Sequence, residues 1–317
     1  MGKDILRPLE QLNLEYLECV GSPSYSMGRS FIKLRKKLKN LEFWAILRAG
    51  YKRYYNRNAL KKIKSKNNPG GPNWNSDEWE KHLDFGPADK KIAIYTCVTG
   101  RYDKPLQPYL SFSNVDYIFF TDDHNLLKQE DSLGKWIVKP IPEQLSKYNN
   151  ATINRYIKFH PFELFECDYD YAIYIDGNLQ PVSDLSELVN WINSKVGLAF
   201  HEHSERNCIY EEIKVCKLFG KGNPQNLQKQ GERYAQEKYP KENGLLECNV
   251  IVTDLKNARA KDILCQWWDE FMRSESGRDQ IALPYILWKN QIPVLQVATL
   301  GHNVYRNPKI RKYDHNV

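Results

Sequence analysis

The period of the apolar positions changes several times along the chain. Over residues 91–98 (KIAIYTCV) they run almost unbroken and stop at Thr99-Gly100, the pattern of a strand buried on both faces and followed by a loop. VDYIFFT (115–121) ends in the same way at Asp122-Asp123. Residues 136–138 suggest a third strand, YAIYI (171–175) a central one, and 196–200 and ECNVIVT (247–253) two more. Residues 293–297 close the core as the last. Helical spacing predicts helices over 152–165, 184–194, 205–219, 227–238, 258–272 and 278–289, the last interrupted by Pro284. In the second of these Asp184 is the N-cap, with Leu185, Leu188, Val189 and Ile192 on one face. Strands alternating with helices predict an α/β domain whose mostly parallel sheet carries helices on both faces. Ligands of such sheets bind beyond the carboxyl ends of the strands, here at 99–103, 122–123 and 176–178.

The N-terminal quarter reads differently. Residues 1–28 show no clear period. From Arg29 onward Phe31, Leu34, Leu38, Leu41 and Ala45 fall at helical spacing among Lys33, Arg35, Lys36, Lys37 and Lys39, with Phe43, Trp44, Ile46 and Leu47 widening the apolar face. This predicts a basic amphipathic helix. A second basic stretch covers 51–66, and the Asn-Asn-Pro-Gly-Gly-Pro run at 67–72 acts as a linker. The expected division is therefore an extension over 1–72 and a main domain over 73–317. Residues 29–66 hold fourteen basic side chains against one acid, Glu42; they carry +13 of a net +7, leaving −6 for the rest. A nucleic-acid-binding domain would carry its positive excess on its own body, so no nucleic-acid partner is expected. An anionic membrane surface fits the segment, and so does a helix laid on the acidic main domain. Seven cysteines with no CxxC pair read as free thiols of a reducing compartment. No signal-peptide core and no spanning run is visible. The expected location is cytoplasmic, peripheral at the inner face of the membrane.

Candidate chemistry centres on YDYAIYIDGNLQ (169–180), where an apolar strand runs straight into Asp176-Gly177-Asn178. Residues two apart on an extended segment point to one side, so the Asp176 carboxylate and the Asn178 carbonyl can share a divalent ion, Mn²⁺ or Mg²⁺. Such ions prefer oxygen ligands completed by phosphate, and Gly177 lets a diphosphate approach the backbone. A strand followed by an ordinary Asp-Gly turn reads equally well. Arg155 and Lys158, three apart, share one helix face and can grip a diphosphate; a solvated basic face is the alternative. Asp279 starts a helix, as a dipole-favoured cap or as a base toward an acceptor hydroxyl. HEHSERNCIYEE (201–212) clusters His and Glu but lacks HExxH, which excludes a zincin. A phosphate-binding P-loop and a dinucleotide fingerprint are both absent from the sequence.

Six blocks, YTCVTGRYDKP, FTDD, NRYIKFHPFELF, YAIYIDGNLQ, ERNCIYEE and GRDQIALPYILWK, occur in this order across residues 91–310. In them the chain resembles the TOD1/MUCI70 glycosyltransferase-like family, formerly DUF616, which includes bacterial members of polysaccharide gene clusters. The resemblance implies a GT-A-like (Rossmann-like) fold and a nucleotide-sugar donor. It places Thr96, Thr99, Tyr102, Asp103 and Asp122 at the nucleotide, with an ordinary glycine turn and, for Asp122, a helix cap as the alternatives, and Arg155 or Lys158 with Asp176 and Gly177 at the diphosphate. Asp176, Asn178 and a late histidine, His302 with His315 as its rival, form the metal set. His201 and Arg206 lie on the acceptor side beside Glu211 and Glu212, candidate catalytic carboxylates together with Asp279; a salt-bridged helix start is the alternative for this cluster. Where the wider GT-A group has Asp-x-Asp, this chain has Asn178, and a neutral ligand weakens metal binding. The expected activity is transfer from a nucleoside diphosphate sugar, UDP-linked, to a glycan or lipid-linked acceptor in surface polysaccharide synthesis. A nucleotide-sugar or carbohydrate-binding module without turnover is the alternative.

Overall fold

Six strands make the central sheet of the computed structural model, which describes residues 3–39, 79, 84–128 and 134–315. They are β1 (Ile92–Val98), β2 (Val115–Thr121), β3 (Trp136–Pro140), β4 (Tyr171–Ile175), β6 (Leu198–Glu202) and β7 (Leu246–Asp254), in the order β3-β2-β1-β4-β7-β6. β3, β2, β1 and β4 run parallel, while β7 is antiparallel to both of its neighbours. The amino end of β7 therefore lies beside the carboxyl end of β4. Outside the sheet, β5 (Leu179–Pro181) pairs with β8 (Ile310–Lys312) as a short antiparallel ribbon.

The pleat sorts the strand residues into two cores. Ala93, Tyr95 and Cys97 of β1 join Ala172 and Tyr174 of β4 on one face, while Ile92, Ile94 and Val98 join Ile173 and Ile175 on the other. The first face is covered by the helices Asn150–Phe159, Ile209–Leu218, Pro224–Gln236, Ala258–Ser274 and Asp279–Lys289, through residues such as Ile157, Ile213, Leu227, Ile263 and Leu283. The second face is covered by Leu185, Leu188, Val189, Leu300, Val304 and Ile310. The mostly parallel α/β sheet is thus present, with its long helices concentrated on one face.

Several elements depart from the sequence reading. The 152–165 helix is broken at His160, because Pro161 starts a new short helix, Pro161–Phe165, and can donate no backbone bond. Residues 184–194 give only the 3-10 turn Ser186–Trp191; the Asp184 carboxylate does accept from the Ser186 N–H at 2.9 Å. The 205–219 helix begins at Ile209, and 293–297 is not a strand but the helical turn Val294–Val297. Residues 1–28, without legible period, form the helix Lys3–Gly21 and the start of a second, Pro23–Lys39. On the second helix Phe31 and Ile32 are 70% and 69% exposed. The rest of the expected basic stretch and the 67–72 linker lie outside the described residues. Among the described residues no helix is long and apolar enough to cross a membrane. All seven cysteines are free thiols, four of them buried.

Candidate active site

The carboxyl ends of β1 and β4 and the amino end of β7 open into a cleft of about 930 Å³. Its floor is the turn after β4. The Asp176 N–H donates to the Asn249 C=O of β7 at 2.9 Å, and the Leu179 N–H closes the turn on the Asp176 C=O at 2.9 Å. A Cβ on Gly177 would stand 2.6 Å from Val98 Cγ2. Glycine is therefore needed for the turn to cross the end of β1, a packing reason in addition to ligand approach. Asn178 Nδ2 donates to the Tyr313 C=O at 3.0 Å, and the Tyr313 N–H donates to the Asn178 C=O at 2.9 Å, so this residue fastens the C-terminal segment to the turn.

A cationic wall stands on the helix Asn150–Phe159. The Asn149 side chain caps it by accepting the Thr152 N–H at 2.9 Å. Ile153 and Ile157 face the core, which sends Arg155 and Lys158 into the cleft. Lys158 Nζ lies 2.6 Å and Arg155 Nε 3.1 Å from the same oxygen, Asp279 Oδ2. Burial alone would raise the Asp279 pKa, but Arg155, Lys158 and Arg278 outweigh it and hold the carboxyl well below the usual range. For Arg155 burial works against the charge, and Asp279, Tyr174 and Asp176 more than restore it. One carboxylate thus holds both side chains in place. A carboxylate held so firmly ionised is a weak proton acceptor, so the geometry gives Asp279 the counter-ion part.

Arg278, next to Asp279, reaches Glu212 Oε1 at 3.8 Å, and there Arg206 Nε meets Glu212 Oε2 at 2.5 Å and its Nη1 meets Glu205 at 2.9 Å. Burial pushes the Glu212 pKa up, but Arg206, His203 and Arg278 bring it below the ordinary value. Glu247 accepts the Ser204 N–H at 3.2 Å and its hydroxyl at 3.0 Å. The cleft is thus lined by basic side chains, Arg155, Lys158, Arg206 and Arg278, each paired with a buried carboxylate.

Of the residues expected from sequence, Thr99, Tyr102, Asp103, Arg155, Lys158, Asp176, Gly177, Asn178, Arg206, Glu212 and Asp279 line this one cleft. Five others do not. Thr96 is a buried mid-strand residue of β1. Asp122 sits behind the β1 loop, where its carboxylate accepts the Gly100 N–H at 2.9 Å. Glu211 is on the helix of Glu212 but one residue, about 100°, round from it. His201 is wholly buried, with its Nε2 3.1 Å from Asn307 Nδ2 and its pKa brought down to about 3 by burial and by His302. His302 bridges to Glu202 on the edge strand β6, two strands from β4 and so roughly 10 Å away.

The expected metal set is therefore not assembled: Asp176 and Asn178 share the turn, and His302 is elsewhere. Among the described residues no three His, Cys, Asp or Glu side chains are placed to hold a metal ion. The rival, His315, does line the cleft, with Nδ1 2.9 Å from Asp103 Oδ2 and its ring 4.9 Å from that of Tyr102. What is present fits an ion carried in on a diphosphate, with Asp176 as protein ligand, and does not fit a closed protein cage.

Sequence reasoning missed Glu247, Asn249, Tyr305 and Lys312, all cleft-lining. Glu247 and Asn249 had a signal: two polar residues, two apart, at the head of an otherwise apolar strand. Tyr305 and Lys312 had none, because they arrive on the chain's return across β5.

No curated protein matches the chain. The solved apo structure of WbbM, a bifunctional glycosyltransferase, aligns over 62% of this chain at 12% identity with a TM-score of 0.37, and the match spans 37% of the WbbM chain. The family model for the TOD1/MUCI70 glycosyltransferase-like domain matches residues 62–315, and the chain belongs to that family.

Proposed function

We propose that the cleft transfers a glycosyl group from a nucleoside diphosphate sugar, UDP-linked, to a hydroxyl of a glycan or lipid-linked acceptor in surface polysaccharide synthesis. The observation that carries this reading is the Asp176 turn at the end of β4 facing the Arg155–Lys158–Asp279 group across one cleft. Tyr102 and His315 offer flat faces for a nucleobase, and Asp103 stands beside the turn. Arg155 and Lys158 stabilise the charge that grows on the leaving diphosphate, already oriented before the reaction begins. A divalent ion, when bound with the donor, adds charge neutralisation on the phosphates, with Asp176 holding it. Arg206, Glu205, Glu212 and Glu247 hydrogen-bond sugar and acceptor hydroxyls.

The test is release of nucleoside diphosphate from a panel of nucleotide sugars with and without Mg²⁺ or Mn²⁺. Turnover by the wild type and its loss in a folded Asp176→Ala protein, by on the order of 100-fold or more, is expected. Full activity of Asp176→Ala overturns the reading. Binding without release would instead favour the non-catalytic module that Asn178 suggests.

For location we propose a cytoplasmic protein held at an anionic membrane face by residues 29–66. The exposed Phe31 and Ile32 support it, while Arg29 itself pairs with Asp314 of the C-terminal segment. Replacement of Lys33, Arg35, Lys36, Lys37 and Lys39 by Glu should abolish flotation with anionic vesicles at low salt; unchanged flotation contradicts it.

A further inference from the structure

The donor end of the cleft is closed by the chain's return path. Val304–Arg306 makes a 3-10 turn, β8 pairs with β5, and Tyr305, Lys312 and His315 reach the cleft from this strap. The ribbon that carries it is three residues long on each side, and a two-stranded ribbon of that size does not hold itself in place.

The helix Lys3–Gly21 holds it from beneath. Asn13, wholly buried, donates from Nδ2 to the Pro308 C=O at 2.8 Å and to the Ile310 C=O at 3.0 Å, and its Oδ1 accepts from Arg311 Nε at 3.0 Å. One amide thus uses its polar groups on three strap residues. Glu10, also wholly buried, meets Lys309 Nζ at 2.7 Å and accepts from the Ser183 hydroxyl at 2.5 Å, which ties the strap to the segment after β5. Tyr16 lies under the Arg311 guanidinium at 4.4 Å. This helix is outside the residues, 62–315, that match the family.

We infer that Asn13 and Glu10 are positioning residues for the donor end of the cleft, acting through the strap that carries Tyr305, Lys312 and His315. The inference rests on the donor-site reading of the cleft. An N-terminal helix used merely as packing would bury apolar side chains against the sheet. Leu6 and Leu17 are buried apolar side chains of this kind, but Asn13 and Glu10 add hydrogen bonds and an ion pair to consecutive strap residues, which fix register and direction.

The full-length chain with Asn13→Ala is compared with wild type and with Leu12→Ala, a change on the exposed side of the same helix. Amide hydrogen exchange at residues 309–313 should quicken about tenfold or more on losing three hydrogen bonds, with β1 and β4 unchanged and Leu12→Ala like wild type. The dissociation constant for UDP, measured far below the unfolding temperature, should rise about tenfold; a purely stabilising helix would lower the melting temperature and leave this constant alone. Unchanged strap exchange overturns the inference, and so does faster exchange with unaltered UDP affinity. A wild type that binds no UDP removes the donor reading, and with it the positioning role, whatever the exchange shows. If Asn13→Ala does not fold, Asn13→Asp, which keeps the volume and the acceptor for Arg311, is read by the same two measurements.

Discussion

Asp279 shows how one buried carboxylate can decide whether a site is usable. It is 4% exposed and pairs with both Arg155 and Lys158, offsetting one of their two charges. Removing one partner of such a group leaves uncompensated buried charge, at a cost of roughly 3–5 kcal/mol. Asp279→Asn should therefore lower unfolding stability by an amount of that order in denaturant titration; a change within about 0.5 kcal/mol, the range of surface substitutions, contradicts the counter-ion assignment. The pH dependence has a definite sign. The folded pKa of Asp279 lies below its unfolded value, so its contribution is complete above about pH 4 and is lost in stronger acid. At the residue scale the sequence could place Asp279 at a helix start, but it could not choose between cap, base and counter-ion. That choice depends on Arg155 and Lys158, more than 120 positions away, pointing at the same oxygen.

Between elements, what was legible followed the physics of burial. The strands β1, β2, β4 and β7 were readable within a residue or so because strands buried on both faces write unbroken apolar runs. The first helix was not readable. Its buried positions are Leu6, Glu10, Asn13 and Leu17, at ideal helical spacing, but two of the four are polar, while Ile5 and Leu12 are exposed. The polar pair is explained by what it meets, the Lys309 ammonium and the strap carbonyls, and no local pattern announces that. The same junction yields a prediction. Glu10, Glu187 and Asp184 surround Lys309, three carboxylates to one ammonium. Burial raises the Glu187 pKa to about 7 from its ordinary 4.5. The folded state then holds a proton that the unfolded state has released, so stability falls as pH rises from about 4.5 to 7, by roughly 3 kcal/mol at full effect. Glu187→Gln should flatten that slope in thermal melts at pH 5 and pH 8. An equal slope in both proteins would show that Glu187 is ionised throughout.

For the whole molecule, the N-terminal residues divide into two segments. The helix Lys3–Gly21 belongs to the folded body, whereas the basic residues beyond Arg29 are the proposed surface anchor. Deleting residues 1–72 should therefore destabilise the fold, whatever it does to the proposed membrane attachment. It removes Glu10, the carboxylate nearest the wholly buried Lys309 and one of the strap's ties, together with the three Asn13 hydrogen bonds, and should lower the melting temperature by several degrees, since about 1 kcal/mol corresponds to roughly 2–4 °C in a chain of 150–250 residues. A truncated chain as stable as the full one contradicts the buttress. Charge-reversed full-length protein, rather than truncation, is accordingly the sound comparison for membrane attachment. The family assignment was legible as six ordered blocks, and the cleft gathers eleven of the expected residues. The expected metal triad failed because it assumed that His302 follows the last strand into the site, whereas the chain continues through β8 and delivers His315 there instead.

The central claim is that the cleft between Asp176 and the Arg155–Lys158 wall binds a nucleoside diphosphate sugar. The most direct measurement is thermal unfolding with UDP and UDP-sugars, with and without Mg²⁺ or Mn²⁺, on wild type, Asp176→Ala and Arg155→Ala. A ligand at about 100 times its dissociation constant adds roughly 2.7 kcal/mol to the folded state. The account predicts a clear rise in wild-type melting temperature, larger with the metal, and little or none in either variant. If no nucleoside diphosphate or its sugar shifts the wild-type transition under any of these conditions, or if both variants respond as the wild type does, the cleft is not a donor site.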